Sequence, residues 1–264
     1  MTRTPAVIAV VVSLSSIAWA QAPPAAQVTA PPAAPNCQEL ATALRGVASN
    51  DARLKDWPNL ARYREDNRRA SSAGAVDVVF MGDSITDSWQ QPRFNFFPGK
   101  HYVDRGISGQ TTPQMLVRFR ADVLNLKPKA VVILAGTNDI AGNTGPMTDE
   151  EIEGNLASMS ELASANGVKV VLASITPVGE YHLANPRAIP QTSQRPMTRI
   201  VAINLWMRDY AAARGYVYLD YFSAMTDAAG LLKAEFSTDD LHPNAAGYAV
   251  MAPLAEAAIA KALK

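Results

Sequence analysis

The chain has 264 residues, 48% hydrophobic and 18% charged, which is enough for one globular domain with a full core and some extra sequence. With 24 Lys and Arg against 24 Asp and Glu, the formal net charge is zero, which argues against a basic surface for nucleic acid. Cys37 is the single cysteine, so an internal disulfide is excluded.

Residues 1–20 read as a secretory signal. Arg3 supplies the positive start, residues 7–14 are apolar, and Ala18-Trp19-Ala20 is a small-x-small cleavage site. The mature chain would begin at Gln21. The apolar run falls short of the ~20 residues that a span needs. The expectation is therefore export to the periplasm or medium, with no stable membrane anchor after cleavage; the alternative is an uncleaved anchor. Residues 21–36 (QAPPAAQVTAPPAAPN) form an Ala/Pro-rich linker. Residues 37–75 read as a helical segment packed on the domain. Leu40, Leu44 and Val47 share a face, Pro58 interrupts, and Leu60 and Tyr63 resume. Arg62, Arg64, Arg68 and Arg69 make a solvated basic face.

From residue 76 to 264 strand and helix patterns alternate. Val76, Val78, Val79, Phe80 and Met81 form an apolar run that suits a strand covered on both faces. Gly82 ends it in a sharp turn that presents Ser84. Further strands are expected at residues 102–107, 130–135, 169–175 and 216–221. Helices are expected between them. One starts at Thr112 with Pro113 in its first turn. One opens with the Thr148-x-x-Glu151 capping box, turns Ile152, Leu156, Met159 and Ala163 inward, and is closed by Gly167. One runs from Pro196 to Gly215 with Ile200, Ile203, Met207 and Tyr210 inward. The last starts near Asn244 with Tyr248, Met251, Ala255 and Ile259 inward, and Pro253 is expected to kink it. This order predicts an α/β fold: a flavodoxin-like three-layer sandwich whose five-stranded parallel sheet has order 2-1-3-4-5, with helices on both faces. The connection 176–195 is unusually long and is expected to be functional. His182 in it is a candidate substrate contact.

Four short blocks fall at the carboxyl ends of the expected strands, where ligands bind in open α/β sheets. They are GDSI around Ser84, GISG ending in Gly109, GTND around Asn138, and DDLHP around His242. Ester hydrolysis by a serine needs a base, which His242 can supply. It needs a carboxylate that fixes the imidazole tautomer, which Asp239 can supply. It also needs donors for the developing oxyanion. The amides of Ser84 and Gly109 and the side-chain amide of Asn138 can be those donors. Asp239 is preferred to its neighbour Asp240 because a turn brings residues three apart together. Asp83 is expected to brace the turn. The chain has no G-x-S-x-G elbow, no P-loop and no G-x-G-x-x-G, and three His with one Cys form no metal-ligand spacing.

With these blocks in this order, the sequence resembles the GDSL-type, or SGNH, hydrolases over residues 76–262. The resemblance implies carboxylic-ester hydrolysis through an acyl-serine, with no metal or organic cofactor. Asp240 departs from the pattern, since many members carry Gly there. GTND with the adjoining GNTGPMT loop is similar to members resembling platelet-activating-factor acetylhydrolases and sugar acetylesterases. The expected partner is thus a small-molecule ester, with acetyl as the first choice of acyl group. Lysophospholipid or thioester cleavage, acyl transfer to a sugar acceptor, and a non-catalytic small-molecule binder are the alternatives. Acyl length, leaving group and oligomeric state are not readable from the sequence.

Overall fold

The computed structural model describes residues 54–183 and 189–264, together with Gln38, Leu40, Ala41, Thr42 and Leu44. The signal segment 1–20 and the linker 21–36 lie outside the described residues. The chain divides into two units, Met1–Gly46 and Val47–Lys264. In the first, Gln38, Leu40, Ala41, Thr42 and Leu44 are helical. Leu40 and Leu44 are 48% and 67% exposed.

The second unit holds a five-stranded, all-parallel sheet. Its strands are β1 (Val78–Gly82), β2 (Tyr102–Gly106), β3 (Ala130–Leu134), β4 (Lys169–Ala173) and β5 (Val217–Leu219). The spatial order is β2-β1-β3-β4-β5, the order expected. Gly82, Gly106 and Leu134 lie in register at the carboxyl ends of the three adjacent strands β1, β2 and β3. That alignment sets the candidate site along one edge.

The period-two alternation of strand side chains divides the core into two layers. On one face Val79, Met81, Val131, Ile133, Val170 and Leu172 meet α3 (Thr112–Asp122), α4 (Asp149–Ala165) and α5 (Met197–Arg214). On the other face Val78, Phe80, Val132, Leu134, Val171 and Leu219 meet α2 (Ser84–Trp89) and α6 (Ala245–Ala262). Ile152, Leu156, Met159 and Ala163 are fully buried on α4, which opens with both hydrogen bonds of the Thr148–Glu151 capping box. Asn244 caps α6 by accepting from the Ala246 and Gly247 N–H groups. Pro253 stands exposed, and the helix continues through it to Ala262.

Several differences from the expected pattern have local causes. β4 ends at Ala173, not Ile175, because Asn204 of α5 takes over: Ile175 N donates to its Oδ1 at 2.8 Å and its Nδ2 donates to Ile175 O at 2.9 Å. β5 is three residues long because Asp220 caps a short helix at Tyr221–Met225. On α5, Ala211 continues the buried row in place of Tyr210, which stacks on Trp206 with centroids 4.9 Å apart. Leu60 is exposed, whereas Tyr63 is buried and its hydroxyl donates to Gly106 O. Helix α1 (Arg64–Ala73) follows, and Asn67 Nδ2 donates to Asp122 Oδ1 of α3 at 2.7 Å.

Candidate active site

The site begins with the break after β1. A Cβ on Gly82 would stand 2.1 Å from Thr86 Oγ1 and 2.9 Å from Leu134 O, so a side chain does not fit where the strand turns into α2. A Cβ on Gly106 would stand 2.1 Å from Asp87 N, so the end of β2 lies directly against the backbone of α2. Asp83 caps α2: its Oδ1 accepts from Ile85 N at 2.9 Å. It braces the turn, as expected. Its Oδ2 is buried without a partner, and burial raises the carboxyl to about 6. Trp89 at the end of α2 stacks on Tyr248 with centroids 4.9 Å apart, and Tyr248 Oη donates to Ile85 O at 2.7 Å. Ser84, the first residue of α2, is thereby held from both ends of its helix.

His242 comes to Ser84 from the turn before α6. Its Nε2 lies 2.9 Å from Ser84 Oγ, and its Nδ1 lies 2.6 Å from Asp239 Oδ2. Asp239 Oδ1 accepts from the N–H groups of His242 at 2.8 Å and Leu241 at 3.1 Å, and from Ser237 Oγ at 3.1 Å. Burial alone would raise the Asp239 carboxyl. The hydrogen bonds from the His242 ring and main chain outweigh burial and hold it well below the usual carboxylate range. An ionised Asp239 can only accept, so the imidazole proton sits on Nδ1 and Nε2 is free to accept from the serine hydroxyl.

Gly109 and Asn138 complete the cluster. Gly109 lies in a turn with φ of +78°, and its N–H makes no hydrogen bond among the described residues. Asn138 is buried, and Nδ2 donates to Gln110 O at 3.0 Å, which leaves its second proton for a ligand. Ser84, Gly109, Asn138, Asp239 and His242 line one cavity of about 780 Å³.

Residues without a sequence signal hold these loops together. Asp87 Oδ2 accepts from Ser108 N at 3.1 Å and Ser108 Oγ at 2.6 Å, fixing the turn that carries Gly109. Asp139 Oδ1 accepts from Thr112 N at 2.8 Å, anchoring the loop of Asn138 to α3. Arg118 is fully buried on α3. It donates to Gly82 O at 3.0 Å and Gln110 Oε1 at 2.5 Å, and pairs with Asp122 at 3.1 Å. Arg195 is 5% exposed and lines the cavity. It donates to Thr137 Oγ1 at 3.1 Å and Gln191 Oε1 at 2.6 Å, and burial lowers its pKa.

His182 is not among the described residues that line the cavity at Ser84. It pairs with Asp240 instead. Its main-chain N donates to Asp240 Oδ2 at 2.6 Å, and its Nδ1 lies 3.0 Å from Asp240 Oδ1. Asp240 adopts a left-handed backbone, φ +65°, a conformation that favours glycine. Its carbonyl accepts from Gly179 N at 2.8 Å. The acid beside Asp239 therefore points into the connection 176–195, away from the imidazole of His242. Among the described residues no group of three or more His, Cys, Asp or Glu could hold a metal ion.

A serine at the carboxyl edge of a parallel sheet, hydrogen-bonded to a histidine that is in turn held by a carboxylate, is the arrangement of a serine-type ester hydrolase. Residues 80–250 match the GDSL-like lipase/acylhydrolase family, so the chain belongs to that family and is a carboxylic-ester hydrolase. It is 26% identical over 186 residues to the human platelet-activating factor acetylhydrolase IB subunit alpha2, covering 68% of this chain and 75% of the relative. Among solved structures it is similar to a putative acylhydrolase from Bacteroides fragilis, with 38% identity, TM-score 0.70, and 79% of this chain and 99% of that one covered. It is also similar to a GDSL-like lipase from Bacteroides thetaiotaomicron, with 39% identity, TM-score 0.69, and coverage of 78% and 99%.

Proposed function

We propose that Ser84 is the nucleophile of an exported esterase acting on short acyl esters, acetyl above all. The observation that carries this reading is the unbroken relay from Asp239 through His242 to Ser84 Oγ, with links of 2.6 and 2.9 Å. Ser84 Oγ attacks the ester carbonyl as His242 Nε2 takes its proton. The N–H groups of Ser84 and Gly109 and Asn138 Nδ2 receive the oxyanion. The tetrahedral intermediate collapses, and the alcohol leaves with the proton from Nε2. Water then attacks the acyl-Ser84, His242 again takes the proton, and the acid departs with Ser84 restored. Asp239 stays ionised throughout and steadies the imidazolium. The His242 side chain is 36% exposed, so water reaches the acyl-enzyme, which favours hydrolysis over transfer to a sugar.

Support for the acetyl group comes from the acetylhydrolase relatives. Support for export comes from Arg3, the apolar run and Ala18-Trp19-Ala20. The purified protein should hydrolyse p-nitrophenyl acetate, with kcat/KM falling toward the octanoate. A rise with chain length would overturn the acetyl reading and leave the relay standing. Mass spectrometry of protein from the native host should find Gln21 first; an intact cytoplasmic chain would overturn export.

A further inference from the structure

A second cavity, of about 740 Å³, adjoins the first. Ser108 and Gly109 line both, so the two meet at a proposed oxyanion donor. Its volume falls in the range of ligand sites.

The wall of this cavity is built around an exposed tryptophan on an anchored turn. Trp57 is 41% exposed. Its carbonyl accepts from Gln114 Nε2 at 2.8 Å, and the next carbonyl, of Pro58, accepts from Gln110 Nε2 at 2.7 Å. The Asp56 carboxylate closes the turn by accepting from Leu60 N at 2.8 Å and Ala61 N at 3.0 Å. The turn is thus fixed while the indole remains open to solvent. Also lining the cavity, Asn143 donates from Nδ2 to Gly109 O at 3.1 Å, and its side-chain oxygen has no partner among the described residues. The Asn59 side chain likewise has none.

The lining chemistry decides among ligand classes. Among the described residues no Lys or Arg lines this cavity, so no side-chain cation among them pairs there with a phosphate or carboxylate. Trp57 and the buried Ile107 are its only large apolar side chains among the described residues, too few to cover a long acyl chain. What remains, beside the Asp56 carboxylate that accepts from the turn's own N–H groups, is one aromatic face with side-chain amides and hydroxyls. An aromatic face is negative and receives the C–H face of a pyranose, while amides pair with its hydroxyls.

We propose that this cavity is a carbohydrate subsite, and that the ester substrate is an acylated neutral oligosaccharide whose chain crosses the Ser108–Gly109 ridge with its acyl group at Ser84. The substrate class rests on the reading of Ser84 as an ester nucleophile, whereas saccharide binding at Trp57 does not.

Two measurements test it on the full mature chain. In the first, Trp57→Ala is compared with the wild type on acetylated xylo-oligosaccharide and on p-nitrophenyl acetate. The ratio of the two kcat/KM values should shift about tenfold against the oligosaccharide, mainly through KM, and Trp57→Phe should restore part of it. An unchanged ratio would overturn the subsite. In the second, the Ser84→Ala protein is titrated calorimetrically with xylohexaose, cellohexaose and chitohexaose. At least one should bind, and adding Trp57→Ala should abolish its heat. Binding of none, or binding indifferent to Trp57, would overturn the proposal. Because that titration involves no turnover, it keeps its meaning even if Ser84→Ala proves active on p-nitrophenyl acetate and the hydrolytic reading fails.

Discussion

Replacing Asp240 by glycine would separate what the fold needs at that position from what this chain has added there. The left-handed backbone at φ +65° favours glycine, so the change relieves a strain of about 1 kcal/mol. Against that, glycine adds roughly 0.5–1 kcal/mol of chain entropy to the unfolded state. The carboxylate, only 2% exposed, also loses its bonds to His182 N at 2.6 Å and Nδ1 at 3.0 Å. Hydrogen bonds to a charged group contribute about 1.5–3 kcal/mol, and water recovers part of this at the half-exposed His182. The bond from Gly179 N to the residue 240 carbonyl survives. The net expectation is a loss of about 1–2 kcal/mol, which in a domain of this size lowers Tm by roughly 2–8 °C. Asp240→Ala loses the clasp as well and keeps the strain, but it avoids the entropy cost of glycine, so it should fall below Asp240→Gly by no more than about 0.5 kcal/mol. Thermal unfolding followed by circular dichroism reads the ranking. A glycine variant as stable as the wild type would refute the view that the carboxylate clasps the connection 176–195 to the catalytic turn.

Asp239→Asn should lose far more kcat than Asp240→Asn, because an amide favours the wrong imidazole tautomer; in another fold that change costs about 10⁴. The reverse order would transfer the orienting role to Asp240. Asn138→Ala should lower kcat by about 10²–10³ with little change in KM, as for the loss of one oxyanion donor. A raised KM at constant kcat would make Asn138 a ground-state contact instead. Asp83 is raised by burial to about 6 from an ordinary 3.8, so the folded state holds its proton more tightly than the unfolded one. The stability this contributes is present below about pH 4 and is lost as pH rises through 6. Asp83→Asn keeps an acceptor for Ile85 N and removes the titration. Its advantage over the wild type should therefore grow between pH 4 and 6, by up to about 3 kcal/mol; a constant difference in Tm would count against a raised Asp83.

The sequence made β1, Gly82 and the strand-end blocks legible because each is a local signal. An apolar run, a glycine at a break, and a capping box at Thr148 and Glu151 all act within a few residues. The sheet order followed from the alternation of strands and helices. The helix after Ser84 has no such signal: its six residues are too few to show a helical period, and its cap, Asp83, reads as part of a turn. Arg118 joins α3 to Gly82 and Gln110, a contact set by the tertiary fold that leaves no periodic trace. The same holds for Asp240 and His182, 58 residues apart. The length of its loop is the only local feature that points His182 toward substrate. Nothing local says that a carboxylate beside Asp239 would claim it. Trp57 read as part of an irregular helical segment, and its role depends on glutamines of α3 and the turn before it, more than 50 residues away.

The central claim is that Ser84, activated by His242, is the nucleophile. The direct test is labelling of the purified protein with a fluorophosphonate, followed by peptide mass spectrometry. The account predicts one covalent adduct, on Ser84, absent from Ser84→Ala and formed far more slowly in His242→Ala. An adduct on any other residue, or label retained by Ser84→Ala, would contradict it.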